Sequence, residues 1–397
     1  MRIAAGSRLD PFARKPAFVL LQLAIGFGYC TAWLYSQLLA RRDPRKPPVR
    51  SIAAVWYWPE DYPAASRTRL GAWKGRFEQE GIRFENLHVG RMEELVNEFE
   101  AGSWTSRYWF YLKVLWRRWR QFFLLRNFDV VWIDRWFFPH YPLDRPLFET
   151  CIRRMVPYLV IDSSDGSDYV GNPGLVHGVM SLADRVTVAY KGLYDFYTPK
   201  FSSVVRFEYP ILEQGYRIRA DHSAPAVFTL GWMGSPTNFR YLKDIEPELR
   251  TVASARPFRL VVICRQQVEL DIPGAEIIYR GYGPDYHDLI ASFDIGLVPF
   301  TVADFTTTGK IGMKHQEFLL CAIPQVCSPV GISEYAIDGE NVLIAREVKD
   351  WAAALLRLMG DDALRMRIAR SGREMCLRTY GVEGQWPVVT KALTDFP

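Results

Sequence analysis

The six cysteines of this chain form no Cys-x-x-Cys pair, and no histidine stands beside them at metal-ligand spacing. Cys264, Cys321 and Cys327 fall within apolar runs, where a free thiol behaves as a small hydrophobe. The set reads as reduced core residues of a cytosolic compartment. The 28 glycines and 25 prolines are scattered rather than periodic, which excludes collagen-like and low-complexity classes. Charge of one sign is also lacking. Lys plus Arg number 49 against 44 Asp plus Glu, a net charge of +5 that gives no argument for nucleic acid. What the chain has instead is apolar and aromatic. Hydrophobic residues make up 49% and charged ones 23%, which excludes disorder and coiled coil. The 397 residues suffice for one large domain or two ordinary ones. Aromatics reach 14%, with 13 Trp and 20 Tyr, and such rings are favoured where a protein meets a membrane interface.

No charged residue occurs between Lys15 and Arg41. Segment 17–40 is long enough to cross the hydrocarbon layer of a bilayer, although Gln22, Thr31, Ser36 and Gln37 make it a mediocre span. Its apolar region is long for a signal peptide, and no A-x-A site follows. Arg2, Arg8, Arg14 and Lys15 precede it and Arg41, Arg42, Arg45, Lys46 and Arg50 follow it, so the positive-inside rule does not choose an orientation, and a monotopic or re-entrant helix would satisfy both flanks at one leaflet. A buried helix of a soluble protein is the plainer alternative. Residues 104–128 mix Arg107, Lys113, Arg117, Arg118, Arg120 and Arg126 with many aromatic rings and no acidic residue. That composition suits an anionic interface, and the neighbouring anchor favours lipid over nucleic acid. The expected place is the cytoplasmic face of the cell membrane.

After the proline-rich, basic linker 41–50, strand and helix signals alternate. Ser51–Tyr57, Phe128–Asp134, Tyr158–Asp162 and Arg185–Ala189 are short apolar runs of the buried parallel kind. Pro210 and Asp221–Pro225 interrupt the pattern. A second set follows at Phe228–Met233, Arg259–Cys264, Glu276–Tyr279, Ile295–Pro299 and Gln325–Cys327, with helical spacing over Asn238–Ala255, Pro284–Phe293 and Gly312–Cys321. The expectation is an α/β chain with two Rossmann-like, doubly wound sheets. Its parts are an anchor and linker (1–50), an N-terminal domain (51–222), a C-terminal domain (223–380) and a last helix (381–397) that returns to the N-terminal domain. Ligands are then expected beyond the carboxyl ends of the strands, in a cleft between the domains.

Gly309–Ser328, GKIGMKHQEFLLCAIPQVCS, is the most informative stretch. With Gly231–Pro236, Phe293–Phe300, Asp338–Leu343 and the helix Asp361–Arg373, it resembles the C-terminal half of GT-B glycosyltransferases, specifically the retaining "group 1" enzymes of family 4. The resemblance implies a nucleotide-sugar donor bound by the C-terminal domain, retention at the anomeric carbon, and no metal or other cofactor. Physical chemistry agrees at the donor loop. The polar turn that includes Thr308, Gly309 and Lys310 feeds a helix N-terminus, whose free N–H groups and dipole favour a diphosphate. Lys310 and Lys314 lie one helical turn apart, so both ammonium groups can address the same phosphates. The resemblance assigns Glu317 to ribose hydroxyls, as the second member of a glutamate pair whose first member here is Gly309. Gly234, Ser235 and Thr237 form a small-residue loop open to phosphate or sugar, with Ser235 in the place of an expected Arg. Arg265 ends the next strand and either meets a diphosphate or pairs with a surface carboxylate.

On the acceptor side, Arg67 and Arg69 follow the first strand, where guanidinium groups suit a phosphate-bearing acceptor or pair with Glu60 or Asp61. In Asp162–Asp168, Asp162 is a candidate acceptor contact and Asp165 a candidate catalytic carboxylate, with turn capping as the alternative for both. The expected function is a membrane-associated glycosyltransferase using a nucleotide-diphosphate sugar and a lipid-linked or polysaccharide acceptor. A nucleotide-sugar epimerase, and a non-catalytic GT-B subunit supporting another transferase, are the alternatives.

Overall fold

A strand buried on both faces needs apolar side chains pointing both ways, and runs of that kind form the centre of two sheets. The structure is a computed structural model that describes residues 16–38, 48–57, 69–100, 102–138, 145–266, 269–283, 286–300 and 310–396. The first sheet contains β1 (Ser51–Val55), β2 (Arg83–Leu87), β3 (Val130–Asp134), β4 (Tyr158–Ser163), β5 (Arg185–Val188) and β6 (Val204–Arg206), in the order β2-β1-β3-β4-β5-β6. The second contains β7 (Phe228–Met233), β8 (Phe258–Ile263), β9 (Ala275–Arg280), β10 (Ile295–Val298), β11 (Gln325–Cys327) and β12 (Leu343–Ile344), in the order β12-β11-β10-β7-β8-β9. Every strand pair in both sheets is parallel. This is the expected α/β, doubly wound architecture.

The described residues divide into two compact units, one drawn from 1–189, 193–210 and 385–397, the other from 190–192 and 211–384. The chain leaves the first at Pro210. Ile211 already belongs to the second, because its N–H donates to the Tyr380 carbonyl at 2.7 Å.

Five helices carry the groups with chemical or surface roles. In the first unit, α1 (Pro16–Leu38) lies against α2 (Trp104–Leu124) and α3 (Leu147–Met155). In the second, α4 (Met313–Leu320) precedes β11. The last, α5 (Val382–Thr394), sends Trp386 against Phe77 of the first unit, centroids 4.7 Å apart. Its final turn is fixed by Arg185, which donates to the carbonyls of Lys391, Ala392 and Asp395 at 2.8–2.9 Å.

Two expectations change in detail. The helix expected over Asn238–Ala255 is broken at Ile245, because Pro247 lacks the N–H that would continue it and instead starts a new helix. Strands β2, β6 and β12 do not appear among the expected runs. β2 is an edge strand with mixed burial, and β6 and β12 are only three and two residues long.

Each sheet has a point where successive strands switch from one side of the first strand to the other. In the second unit it lies between β7 and β10, whose register pairs Gly231 with Gly296. A Cβ at Gly231 would run into the Phe293 ring, and one at Gly296 into the Phe318 ring of α4. The glycine pair therefore makes room for two rings in edge-to-face contact, 6.0 Å apart, and lets α4 lie close to the sheet. Gly231→Ala should overpack this spot and destabilise the protein by about 1–3 kcal/mol. Gly75→Ala is the contrast, in an exposed helix with nothing within 4 Å of the added methyl. It should be neutral or stabilising by about 0.5–1 kcal/mol. Chemical denaturation of the two variants checks both signs.

Candidate functional site

The switch point of the second unit gathers the loops that follow β7, β8 and β9 and the start of α4. Gly312 enters the helix in extended conformation, with φ −68° and ψ 135°, and no side chain caps it. The first N–H groups of α4 thus remain available to an anion. Lys314, on the first turn, keeps partial exposure and holds its ammonium 4.8 Å above the ring centroid of the fully buried Trp232. Burial pushes its pKa down to about 7, with only the Cys327 thiol opposing. Among the described residues no carboxylate pairs with it. Lys310 sits ahead of the helix, its Nζ 5.9 Å from the Tyr190 ring centroid.

Trp232 also explains the loop after β7. Its indole lies where a Cβ at Gly234 would fall, so only glycine leaves the chain this close to the ring. Ser235 and Thr237 are exposed and share a hydroxyl–hydroxyl hydrogen bond of 2.8 Å across the turn Pro236–Asn238. Arg265 is exposed at the end of β8. Tyr282, after β9, has its pKa pushed up to about 12 by burial and the Glu317 charge, while Arg265 and the Gly234 backbone act the other way. Gly234, Arg265, Tyr282 and Glu317 therefore occupy one neighbourhood. Thr308 and Gly309 lie outside the described residues.

Glu317 is buried one turn beyond Lys314, and its Oε1 accepts hydrogen bonds from the Tyr216 hydroxyl at 2.6 Å and the Tyr286 hydroxyl at 3.1 Å. Burial holds its carboxyl up at about 7, against those two hydrogen bonds. The rings of Tyr216 and Tyr286 flank His287, with centroids 4.0 and 3.9 Å away. Sequence reasoning missed both tyrosines, because residue 216 and residues 286–287 meet only through the fold. His315, also unremarked in the sequence, is fully buried and joined to Gln325 Oε1 at 2.9 Å, and its pKa is held down at about 4 by burial. It is a core group.

In the first unit, Arg69 and Asp162 meet, but only each other. Arg69 Nη2 and Nε donate to the two Asp162 oxygens at 2.9 and 3.1 Å, and Nη1 donates to the carbonyls of Phe207 and Glu208. Thr187 donates to Asp162 Oδ1 at 2.5 Å and itself accepts from the Trp132 indole at 3.1 Å. With exposures of 2% and 0%, the pair ties β4 and β5 to the chain after β6, and neither side chain reaches a ligand directly. This corrects the expectation that Arg69 and Asp162 contact an acceptor. Asp165 is half-buried, and its Oδ1 accepts from the Ser167 N–H at 3.1 Å, an Asx turn. Arg67 lies outside the described residues.

Arg135 carries no signal in the sequence. It stands just beyond β3 with φ 66°, a left-handed conformation rare for a side-chain-bearing residue. Its guanidinium lies 3.4 Å from both Asp134 and Asp168. Burial, partly offset by Arg135, raises the Asp168 carboxyl to about 6. This ionic cluster marks the carboxyl edge of the first sheet next to its switch point between β1 and β3.

Residues 224–361 match the family described as glycosyl transferases group 1. Comparison with curated proteins finds no match. Among solved structures, an alpha-glucosyltransferase in complex with UDP-glucose and DNA containing an abasic site is similar at TM-score 0.58 and 11% identity, covering 86% of this chain and 99% of that one. Sucrose-phosphate synthase from Thermosynechococcus elongatus gives TM-score 0.57 at 13% identity, over 84% of this chain and 96% of that one. HepE of Anabaena, in complex with UDP and glucose, gives 0.55 at 13%, over 86% and 99%. TarM matches at 0.52 and 12%, and this chain spans 57% of its length. At such identities the likeness is one of fold, and the fold is GT-B.

The Glu317 geometry sets a pH dependence. Its folded pKa, about 7, lies above the unfolded value, so the protonated form favours the fold. That contribution is complete below the unfolded pKa of about 4.3 and is lost as pH rises through about 7, a change of about 4 kcal/mol. The melting temperature of the second unit should therefore fall between pH ~5 and pH ~8. Glu317→Gln, which cannot ionise, should flatten the fall. An unchanged slope in the variant would contradict the assignment.

Proposed function

Taking the chain as a GT-B protein whose second unit is that of a group 1 glycosyltransferase, we propose that it moves a glycosyl residue from a nucleoside-diphosphate sugar to a lipid-linked or polysaccharide acceptor, with retention, at the cytoplasmic face of a membrane. The observation that carries this reading is Lys314. Its charge is suppressed by burial and has no carboxylate partner among the described residues, and it stands at an uncapped helix N-terminus inside the family-matched segment. A nucleotide diphosphate supplies the missing counter-charge. UDP or UDP-glucose is bound in the similar structures of HepE and the alpha-glucosyltransferase.

In the proposed step the bond between the anomeric carbon and the diphosphate oxygen breaks, and its electron pair leaves with the phosphate. Lys310, Lys314 and the N–H groups of α4 neutralise that growing charge. The acceptor hydroxyl bonds to the same face of the sugar and gives its proton to the departing phosphate, so the reading needs neither a protein base nor a metal. Gly234, Ser235, Thr237, Thr308, Gly309 and Arg265 are proposed to line the donor, with Glu317 on the ribose. Asp165 and Arg67 are proposed for the acceptor side. Basic residues on both flanks of segment 17–40 support a cytoplasmic leaflet.

A thermal-shift panel with UDP, GDP, CDP, ADP and dTDP tests the reading. A ligand present at about 100 times its Kd should stabilise the folded state by about 2.7 kcal/mol. One nucleotide should raise the melting temperature, and Lys310→Ala and Lys314→Ala should each abolish most of the rise. No shift with any nucleotide would favour a non-catalytic subunit instead.

A further inference from the structure

Helix α1 is fastened to the first unit along its length. Leu21, Ile25, Gly28, Ala32 and Ser36 form its buried stripe. Trp119 of α2 donates its indole N–H to Thr31 at 2.9 Å, Arg126 reaches the Tyr35 hydroxyl at 3.0 Å, and Arg154 reaches Gln37 at 2.7 Å. The Tyr35 ring meets Phe123 edge-on at 4.8 Å. These contacts advance together along both helices, so α1 and α2 run side by side in the same direction.

The outer face of α1 is apolar. Leu20, Leu23, Phe27, Trp33, Leu34 and Leu38 are all exposed, Phe27 by 68%. On α2 the exposed residues Trp109, Lys113, Trp116, Arg120 and Leu124 recur every three or four positions, a single stripe alternating apolar and basic groups. Between the helices an apolar hollow of about 220 Å3, lined by Phe27, Gly28, Trp116 and Trp119, has room for part of an acyl chain.

We propose that α1 and α2 together form a monotopic docking face that lies in the plane of one leaflet of an anionic membrane, with α1 sunk into the acyl boundary and the exposed Lys113 and Arg120 of α2 at the headgroups. The proposal rests on the membrane attachment included in the proposed function and fixes its form. At 23 residues α1 is long enough to span, but the exposed stripe of α2 beside it carries Arg120 and Lys113, the latter paired with Glu98 at 2.8 Å, while Arg117 is paired with Glu94 at 2.8 Å and Arg118 is buried. A spanning α1 would drag these charges to hydrocarbon depth, where each is strongly disfavoured. Lying flat, the exposed Lys113 and Arg120 meet anionic headgroups and the tryptophans meet the interface.

The test uses the full chain with one epitope tag ahead of Met1 and another after Pro397, in right-side-out and inside-out membrane vesicles of the expressing cell. The expected result is membrane-bound protein with both tags open to protease from the same side, and partial release at high salt. The double variant Leu23→Glu with Phe27→Glu should become soluble, while its melting temperature and its shift with nucleotide stay at the parent values. Tags on opposite faces would overturn the in-plane placement and leave membrane attachment standing. Parent protein recovered wholly in the soluble fraction would overturn both. Retention of the double variant on membranes would show that this face is not the one that holds the protein.

Discussion

Neighbouring parallel strands can be joined only after the chain has crossed back over the sheet, so all their carboxyl ends lie on one edge. This constraint sets most of what the molecule can do. Apolar strands such as β1, β4 and β7, buried along their full length, fix the two sheets. Polar residues just beyond them then gather at the switch points, where the crossovers diverge and leave space. At the switch between β7 and β10, the glycine pair Gly231 and Gly296 brings α4 down onto the sheet. The start of that helix, with Lys314 and Glu317, follows from this packing.

The charged groups at the two edges behave differently, and the difference supports the proposal that the donor binds at the edge of the second unit. Arg69 and Asp162 are closed on each other, with their remaining donors and acceptors satisfied by Thr187 and by backbone carbonyls. Breaking such a pair costs about 3–5 kcal/mol, while a ligand has nothing to gain from it. Lys314 has the opposite character. Its ammonium rests over an aromatic face, an interaction worth about 0.5–2 kcal/mol, and burial still lowers its pKa to about 7. An incoming polyanion strengthens the charged form of Lys314. Arg135, between Asp134 and Asp168, belongs with the closed networks, although its left-handed backbone places it at the switch point of the first sheet.

The fold was readable because burial on both faces leaves an unambiguous apolar run, as in Phe128–Asp134 and Phe228–Met233. Edge strands carry no such run. Arg83–Leu87 alternates exposed and buried positions and includes Arg83, Glu85 and Asn86, so only its pairing with β1 reveals it. At the site, Lys314 and Glu317 were legible because helical periodicity places them one turn apart on α4, whereas Lys310 lies ahead of that helix, which begins only at Met313. Tyr216 and Tyr286, which hold Glu317, were not, since the hydrogen bonds join residues far apart in sequence. Arg69 and Asp162 had the composition of a ligand site and the environment of a core, and only burial distinguishes the two. The N-terminal segment announced its apolarity, while its attachment depends on Thr31, Tyr35 and Gln37, polar residues of the kind that had marked it as a poor span.

The central claim is that Lys314 awaits the charge of a nucleoside diphosphate. Calorimetric titration of that nucleotide at pH ~8, in two buffers of different ionisation enthalpy, tests it most directly. With a free pKa of about 7, Lys314 is mostly neutral there, and binding should draw up to about one proton from the buffer per nucleotide. At pH ~6 the uptake should vanish, and Lys314→Met should show none at either pH. Binding without proton uptake at pH ~8, or the same uptake in Lys314→Met, would contradict the account.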